Sequence, residues 1–522
     1  MASAERLPGD TPWRYAMTSR KPMPRGPCAP LWRHAMTYRM LLLPALLGLL
    51  ALPTGVDAQG FNGRARTYAS ALTIRDLVLD SVPASDVPGQ GAQRVLPDGT
   101  PVTCSATSCQ YFRSGEELGV IPILQDLELN VWTGITGLRA YTHVRGRQSV
   151  GDWRVVWPRM EEEFEALAAY VEYGRSFYRL QAGRIWQTSS LGLYNYDGAA
   201  AFFRLPSRID LNLYGGLSLA RGLNQLYSTD LISSVEPLGP REDAYLGGFV
   251  ARWRPIPALA TSLTYQREWT THSGDLYSDR LAGSVRLVLD RATVDAELKY
   301  DLAGEVVNLG RMALTVPLGS GFTGRGEVRR YVPFFELWTI WGAFSPVGSD
   351  EARLRVDWMS PTGRISAHAM GGYQSYGDTG AEAPEGYSIR DDAWRLGAGG
   401  RINLLTELTL NGEYRYQEGY GSSRHGGNAS AQWTFRRRLY LAATATAFET
   451  FSEFQIGSGR VFGAGVQGAA PVGPATLQGG VMFYKHDYIG RPSILDLNQT
   501  RANLSLEIPF GKDPGLNGRA NR

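Results

Sequence analysis

Apolar and polar residues alternate one by one along most of this 522-residue chain. In the segment 292–301, the even positions hold Ala, Val, Ala, Leu and Tyr, and the odd positions hold Thr, Asp, Glu, Lys and Asp. The same alternation recurs in 126–131, 138–145, 352–358, 407–415 and 501–510. A period of two puts every second side chain on the same face of a β-strand. The pattern therefore predicts strands with one apolar and one polar face, and no stretch of similar length has the period of a helix.

These strands recur from about residue 64 to residue 510, and two kinds of connection separate them. Tight turns are predicted at Gly174–Ser176, Pro257, Arg291, 361–363 and 471–474. Longer polar stretches occur at 221–243, 376–391 and 418–426. Short turns at one end and long loops at the other are typical of outer-membrane barrels, and about ten residues suffice for a tilted strand to cross a bilayer. The prediction is an all-β fold, a single large antiparallel transmembrane β-barrel of roughly 18–22 strands.

A soluble β-sandwich or propeller would also show alternating strands. Here, however, the polar faces carry charges along their whole length, and aromatic residues such as Trp132, Trp253, Trp358 and Tyr484 concentrate at strand ends. Aromatic girdles at both interfaces are a feature of membrane barrels. The transmembrane interpretation is therefore favoured.

Residues 1–58 are interpreted as a leader. A run of apolar residues from Met40 to Pro53 follows Arg39, and small residues precede the predicted cleavage point between Ala58 and Gln59. Fourteen residues are too few to span a bilayer, so a cleaved secretory signal peptide is favoured over a membrane anchor. The upstream part of the leader is interpreted as a start-site extension.

The remainder of the chain divides into three predicted parts. Residues 59–123 comprise an N-terminal strand and a loop-like or plug-like segment, 124–510 form the barrel, and 511–522 are a short polar tail. No shift in composition marks a second domain.

Removing the leader changes the charge and the cysteine count. Of the 53 basic and 50 acidic residues, seven and three lie in 1–58, which leaves 46 basic and 47 acidic residues. Because no cluster of basic residues occurs in the remaining chain, the charge pattern does not indicate binding of nucleic acid. Only Cys104 and Cys109 remain in an exported, oxidising compartment, and their spacing suits a disulfide that closes a small loop. A metal site is the alternative, but no His or further Cys lies near them in the sequence.

The chain resembles bacterial outer-membrane porins at the level of the class. The resemblance rests on the signal peptide, the repeated amphipathic strands and a last strand, Thr500–Phe510, that ends in an aromatic residue as barrel insertion signals do. The segments Gln181–Gln187 and Asn195–Gly198 also look like a porin strand and its loop. The resemblance implies a channel that the barrel-assembly machinery inserts into the outer membrane of a Gram-negative-type bacterium, with a homo-oligomer as a possible state.

If the apolar faces meet lipid, the charged faces line a polar lumen. The predicted pore-lining residues are Asp126, Glu128, Arg139, Arg145, Asp295, Glu297, Lys299, Arg353, Arg355, Asp357, Glu413, Arg415, Arg501 and Glu507. Because acids and bases alternate, they predict weak ionic selectivity. The alternative is that they form salt bridges that brace a narrower lumen.

Catalytic and cofactor motifs are absent from the sequence, so no cofactor and no metal site are expected. His143 and His368 lie on polar faces and could serve as catalytic bases, but nothing in the sequence identifies a nucleophile beside them. The aromatic run Leu337–Trp341 fits a girdle better than a carbohydrate slide.

The favoured function is passive diffusion of small hydrophilic solutes through an outer-membrane channel, without enzymatic activity. A structural or export conduit that works with a periplasmic partner is the alternative, and a barrel-embedded hydrolase is a third hypothesis. The expected partners are outer-membrane lipid and the diffusing solutes.

Overall fold

The computed structural model describes residues 60–89, 91, 93–97, 101–151, 164–219, 243–334, 348–377, 391–419, 424–435, 438–450, 459–488 and 497–512. The predicted leader with its cleavage point, the aromatic run 337–341 and the tail beyond residue 512 lie outside the described residues.

Nearly all of the described residues lie in β-strands. In chain order the strands are β1 (Gly60–Pro83), β2 (Gln93–Val95), β3 (Pro101–Cys104), β4 (Ser108–Trp132), β5 (Leu138–Val150), β6 (Phe164–Gly174), β7 (Tyr178–Ser189), β8 (Gly192–Leu205), β9 (Ile209–Ser218), β10 (Ala244–Ile256), β11 (Leu259–Thr270), β12 (Leu276–Leu289), β13 (Ala292–Asp301), β14 (Val306–Gly319), β15 (Phe322–Tyr331), β16 (Ser349–Met359), β17 (Ile365–Tyr376), β18 (Asp392–Asn403), β19 (Leu408–Gly419), β20 (Arg424–Phe435), β21 (Leu439–Thr450), β22 (Gly459–Val472), β23 (Ala475–Tyr488) and β24 (Leu497–Lys512). Two single-turn 3-10 helices, Ala84–Asp86 and Pro206–Arg208, lie between strands. In the part of the chain that is described, no helix has the length and apolar character needed to cross a membrane.

One antiparallel barrel contains all of these strands except β2 and β3. From β4 to β24 each strand pairs with the next, and β1 pairs with β4 on one side and with β24 on the other. The result is a closed sheet of 22 strands, in which the first and last strands pair with each other and do not present their backbone groups to lipid as the edges of an open sheet would. The predicted fold class is confirmed, at the upper end of the predicted number of strands.

The pairing register brings like faces together. Leu298 lies opposite Gly283 and Gly310, whereas the next residue, Glu297, lies opposite Ser284 and Arg311. Leu298 is half exposed although it is apolar. Similar exposure recurs at apolar residues of the same face around the barrel, including Leu354, Leu396, Phe462, Val466 and Leu504. Such a band is what a lipid-facing exterior requires.

The two ends of the barrel differ in their connections. At one end the connections are two to five residues long, and they include the turns predicted at 174–176, 257, 291, 361–363 and 471–474. At the other end the connections reach 24 residues between β1 and β4 and 25 residues between β9 and β10. Such a difference between the two ends is typical of outer-membrane barrels.

The predicted boundary at residue 124 is wrong, because β1 and most of β4 belong to the barrel. Ala58–Arg522 form one compact unit, and β1 joins β24 over the residues from Phe61 to Leu72. Beyond the barrel rim, β1 and β4 continue as a two-stranded ribbon up to the pair Pro83 and Ser108. The alternation in 108–119 is broken by charged and small residues on both faces, since this ribbon has no lipid face to satisfy. The connection 84–107 contains the first 3-10 helix and the short strands β2 and β3.

Candidate functional site: the inner wall and an inward-folded hairpin

All fourteen charged residues singled out in the sequence lie on the inner face of the barrel, because each alternates with the exposed apolar residues of its strand. They are Asp126 and Glu128 of β4, Arg139 and Arg145 of β5, Asp295, Glu297 and Lys299 of β13, Arg353, Arg355 and Asp357 of β16, Glu413 and Arg415 of β19, and Arg501 and Glu507 of β24. The structure thus brings onto one continuous surface residues that are nearly 400 positions apart in the chain.

These charges brace the wall as well as lining it. Thirteen of the fourteen form an ion pair, whereas Arg501 donates a hydrogen bond to Gln499 at 2.8 Å. Arg145 and Asp126 form a bidentate pair between adjacent strands, with Nε to Oδ1 at 2.6 Å and Nη2 to Oδ2 at 2.7 Å. Bidentate geometry of this kind holds both side chains in one orientation. The same charged residues therefore fit both interpretations: they lie on the inner face, and they form salt bridges that brace the wall.

A dense group of charges on the inner wall surrounds Glu327 of β15, a residue that the sequence reasoning did not select. Its carboxylate accepts hydrogen bonds from Arg311 and Arg325, both at 3.0 Å, and from Arg353 at 2.8 Å. One buried carboxylate thus holds three partly exposed guanidinium groups. The wall at this point carries a local excess of two positive charges.

Glycines allow large inner side chains to lie flat against the wall. Tyr484 lies opposite Gly463, and a Cβ on that glycine would lie 2.8 Å from the tyrosine ring. His368 lies opposite Gly399 in the same way, and a Cβ on this second glycine would lie 2.6 Å from the histidine Cε1. This arrangement keeps the ring out of the lumen, and it gives a physical reason for part of the high glycine content.

The wall is interrupted where the ends of β7 and β8 leave it. β6 pairs with β7 only from Ala169 opposite Arg184 to Gly174 opposite Arg179, and the β8–β9 register begins at Tyr196 opposite Ser218. Between these limits β7 and β8 pair only with each other, up to Ser189 opposite Gly192. Residues 185–195 therefore form a separate hairpin, here called the inner hairpin.

Side chains replace the backbone partners that β6 loses at this point. Arg184 Nη1 donates to the Ala166 carbonyl at 2.8 Å. The Leu167 carbonyl accepts hydrogen bonds from the Trp186 indole and from Asn195 Nδ2, the latter at 3.0 Å. An orphaned carbonyl within a membrane would be costly, so these three side chains make the departure of the hairpin possible.

The inner hairpin packs across the inner faces of β9 to β12. Gln187 Oε1 accepts a hydrogen bond from Asn212 of β9 at 3.0 Å, and Ser190 Oγ donates to Thr264 Oγ1 of β11 at 3.1 Å. An apolar cluster seals the contact between hairpin and wall, and its buried members are Ile185, Leu191, Tyr194, Tyr196, Ala200, Tyr214, Leu246, Val250 and Ala282. The hairpin is thus a fixed obstruction inside the lumen.

Polar side chains of β11 lie fully buried beneath the hairpin. Tyr214 donates to Gln266 Oε1 at 3.1 Å, and Glu268 accepts hydrogen bonds from Ser218 at 2.7 Å and Ser278 at 3.3 Å. The same inner face that is wet elsewhere in the barrel is covered here. These residues therefore anchor the obstruction and do not line the water path.

The sequence interpretation of this region was wrong in one respect. Asn195–Gly198, expected to be the loop after a porin strand, belongs to β8, and the connection is only Ser190–Leu191. A signal was present: Leu191, Leu193, Tyr194 and Tyr196 occupy both parities, so the alternation of apolar and polar residues fails in the inner hairpin.

The two histidines considered as catalytic bases lie on the inner face, His143 on β5 and His368 on β17. Nε2 of His143 and Nε2 of His368 are buried without a hydrogen-bond partner among the described residues. His143 lies 3.9 Å from Asp126 Oδ2, but that carboxylate is already engaged by Arg145. In the described part of the chain no group of three or more His, Cys, Asp or Glu side chains could hold a metal ion.

Comparison with known proteins gives matches of fold only. No protein-family model and no curated protein matches the sequence. Among solved structures, OccAB4 of Acinetobacter baumannii is 10% identical, with 88% of this chain and 100% of that chain covered at a TM-score of 0.38. OccK3 (OpdO) of Pseudomonas aeruginosa is 8% identical, with 86% and 96% covered at a TM-score of 0.36. A bacterial polysaccharide outer membrane secretin is 10% identical, with 52% and 93% covered at a TM-score of 0.31.

The fold is a closed antiparallel β-barrel of 22 strands, with one exposed apolar face and one charged face. At the similarities given, the solved structures identify no solute for this chain.

Proposed function

We propose that this protein is a passive channel through which small hydrophilic solutes diffuse across the outer membrane. The observation that carries the proposal is the charged inner face of a closed barrel whose outer face is apolar. Fourteen charged residues spread around the inner wall need water, and a continuous column of water is a path for solutes.

The size of the barrel makes the inner hairpin important for such a channel. Strands about 4.8 Å apart and tilted by about 40° give a 22-stranded barrel a backbone diameter of roughly 40 Å. An opening of that width would not select small solutes. The inner hairpin narrows it, and this supports size-limited diffusion.

The mixture of signs supports weak ionic selectivity. Acids and bases are paired on the inner wall, so that fields from neighbouring charges largely cancel along the path. The exception is the group around Glu327, where three arginines share one carboxylate. We expect a modest preference for anions to originate there.

The remaining partners belong to the same proposal. The apolar exterior would contact outer-membrane lipid, and β24, which carries the aromatic Phe510 near its end, would be recognised by the barrel-assembly machinery. Association of several copies is also part of the proposal, and chemical cross-linking in membranes would test it.

Single-channel recording in planar bilayers tests the function. Purified, folded protein should give discrete open-state steps, and silence from a folded barrel would instead favour the conduit that requires a periplasmic partner. A matched pair of variants shows that the current passes through the lumen. A bulky water-soluble thiol reagent should reduce the current of Glu297→Cys and leave that of Ala296→Cys unchanged, because only the former side chain faces inward.

A further inference from the structure

Two separate elements reach the same point on the inner face of β12. One is the tip of the inner hairpin, at Leu191 and Tyr194. The other is the segment 332–334 that follows β15, where buried Val332 exchanges hydrogen bonds with Asn308: its amide donates to the Asn308 carbonyl at 2.8 Å and its carbonyl accepts from Asn308 Nδ2 at 3.4 Å. This anchor directs Phe334 toward β12.

Arg280 of β12 contacts both elements. Its Nη2 donates to the Leu191 carbonyl at 3.4 Å, and its Cζ lies 5.8 Å from the centre of the Tyr194 ring. On the other side, Cζ lies 3.8 Å from the centre of the Phe334 ring. The arginine side chain is almost completely buried between these groups.

A guanidinium group is suited to this position for three reasons. It is planar, so it can stack on an aromatic ring; it carries a charge that the ring face attracts; and it keeps several N–H donors for a backbone carbonyl. A lysine ammonium retains the charge but loses the stacking surface. Replacing Arg280 with lysine therefore separates the contribution of the charge from that of stacking on the ring.

We propose that Arg280 is the positioning residue that couples the inner hairpin to the segment 332–334, and that it thereby sets the size limit of the channel. This inference rests on the proposed channel function. With Arg280 in place, the hairpin and the segment form one constriction. Without it, each keeps its own anchor on the wall but neither fixes the other, and the opening between them widens and fluctuates.

The test compares Arg280→Ala, Arg280→Lys and Arg286→Ala in liposomes and planar bilayers. Arg286 is the matched control: it lies on the inner face of the same strand, it is exposed, and it pairs with Asp295 at 3.7 Å. Its replacement removes the same charge without touching the constriction. Uptake of uncharged sugars of graded size serves as the main readout, because it is insensitive to the change of charge.

For Arg280→Ala we expect severalfold faster uptake of the larger sugars relative to the smallest one, together with frequent transitions between conductance levels. Arg280→Lys should restore part of the size limit, and Arg286→Ala should behave as wild type. Combining Arg280→Ala with Phe334→Leu should add little, since both remove the same contact. Heat resistance of the folded barrel in detergent should stay unchanged in every variant.

Two outcomes would overturn the inference. One is a size limit of Arg280→Ala equal to that of Arg286→Ala in a protein that conducts. The other is full additivity of Arg280→Ala and Phe334→Leu. Wild-type protein that is folded and admits no sugar at all would instead overturn the channel function, so that the two failures are distinguishable.

Discussion

Ala296 and Glu297 are neighbours on β13, and their side chains lie on opposite faces of the barrel wall. Ala296 lies opposite the exposed apolar residues Val285 and Met312, whereas Glu297 contacts Lys299 at 3.3 Å on the inner face. Introducing an arginine at Ala296 should therefore cost about 2–4 kcal/mol of folding free energy in a bilayer. Introducing it at Glu297 should cost much less and should shift ion preference toward anions.

Equilibrium unfolding from lipid vesicles measures the first effect, and the reversal potential in a salt gradient measures the second. Equal destabilisation by the two substitutions would contradict the assignment of faces.

Glu327 offers a second test at the scale of the residue. Glu327→Gln keeps the shape of the side chain but leaves three guanidinium groups without their common anion. Because these arginines are partly exposed, water offsets much of the loss, and we expect a cost of about 1–3 kcal/mol. The reversal potential should shift toward anions. As a control, Glu413→Gln removes the same charge from a carboxylate that forms an ion pair with Arg415, and it should shift the reversal potential less.

The faces of single residues could be predicted from the sequence, whereas their partners could not. A period of two is local, so the alternation of Asp295, Glu297 and Lys299 with apolar neighbours already separates inside from outside. The contact of Glu327 with Arg353 depends on the register between β15 and β16. This register cannot be predicted from the alternation within either segment alone. For this reason Glu327 was missed although Arg353 was selected.

At the scale of the element, the inner hairpin makes a prediction that is independent of function. Ser190 and Thr264 are joined by a hydrogen bond between residues 74 positions apart in the chain. The double variant Ser190→Cys and Thr264→Cys should therefore form a disulfide in the folded barrel. Since the hairpin is already fixed, oxidation should leave the conductance unchanged.

The appearance of the cross-link is measured by a mobility shift on non-reducing gels. Ser190→Cys combined with Thr444→Cys on the distant strand β21 serves as the negative control. If the hairpin instead lay in the barrel wall, Ser190→Cys and Thr264→Cys would not form a disulfide, which would contradict the structure.

The loop between β1 and β4 contains the second element with a testable role. Cys104 and Cys109 form a disulfide there, next to a small core of Val87 and Val102. Closing so short a loop stabilises the protein by about 2–3 kcal/mol at most. The double variant Cys104→Ala and Cys109→Ala should therefore insert into membranes normally. Labelling of both thiols in native, unreduced protein would show that the pair is not formed.

Elements with one lipid face could be predicted, and elements without one could not. The barrel strands carry the alternation because one face meets lipid and the other meets water. The inner hairpin packs one face against the wall and has no lipid face, and the ribbon of β1 and β4 has none either, so neither shows the period. The sequence consequently suggested a loop at Asn195–Gly198 and a plug within 59–123, where the structure has strands.

At the scale of the whole molecule, closure of the sheet connects the two ends of the barrel domain. Arg66 of β1 pairs with Glu507 of β24, and Arg64 bridges Glu128 and Glu507 across the seam. The seam carries the same charged inner face as the remaining wall. One continuous polar surface inside one continuous apolar surface is the central claim about this molecule.

Cysteine accessibility along β13 tests that claim most directly. Single cysteines from position 293 to position 300 would be reacted in intact liposomes with a water-soluble thiol reagent and, separately, with a lipid-soluble probe. The structure predicts strict alternation: the water-soluble reagent labels 293, 295, 297 and 299, and the lipid-soluble probe labels 294, 296, 298 and 300. Labelling by the two reagents that fails to alternate along this scan would contradict the barrel wall, and the proposed channel with it.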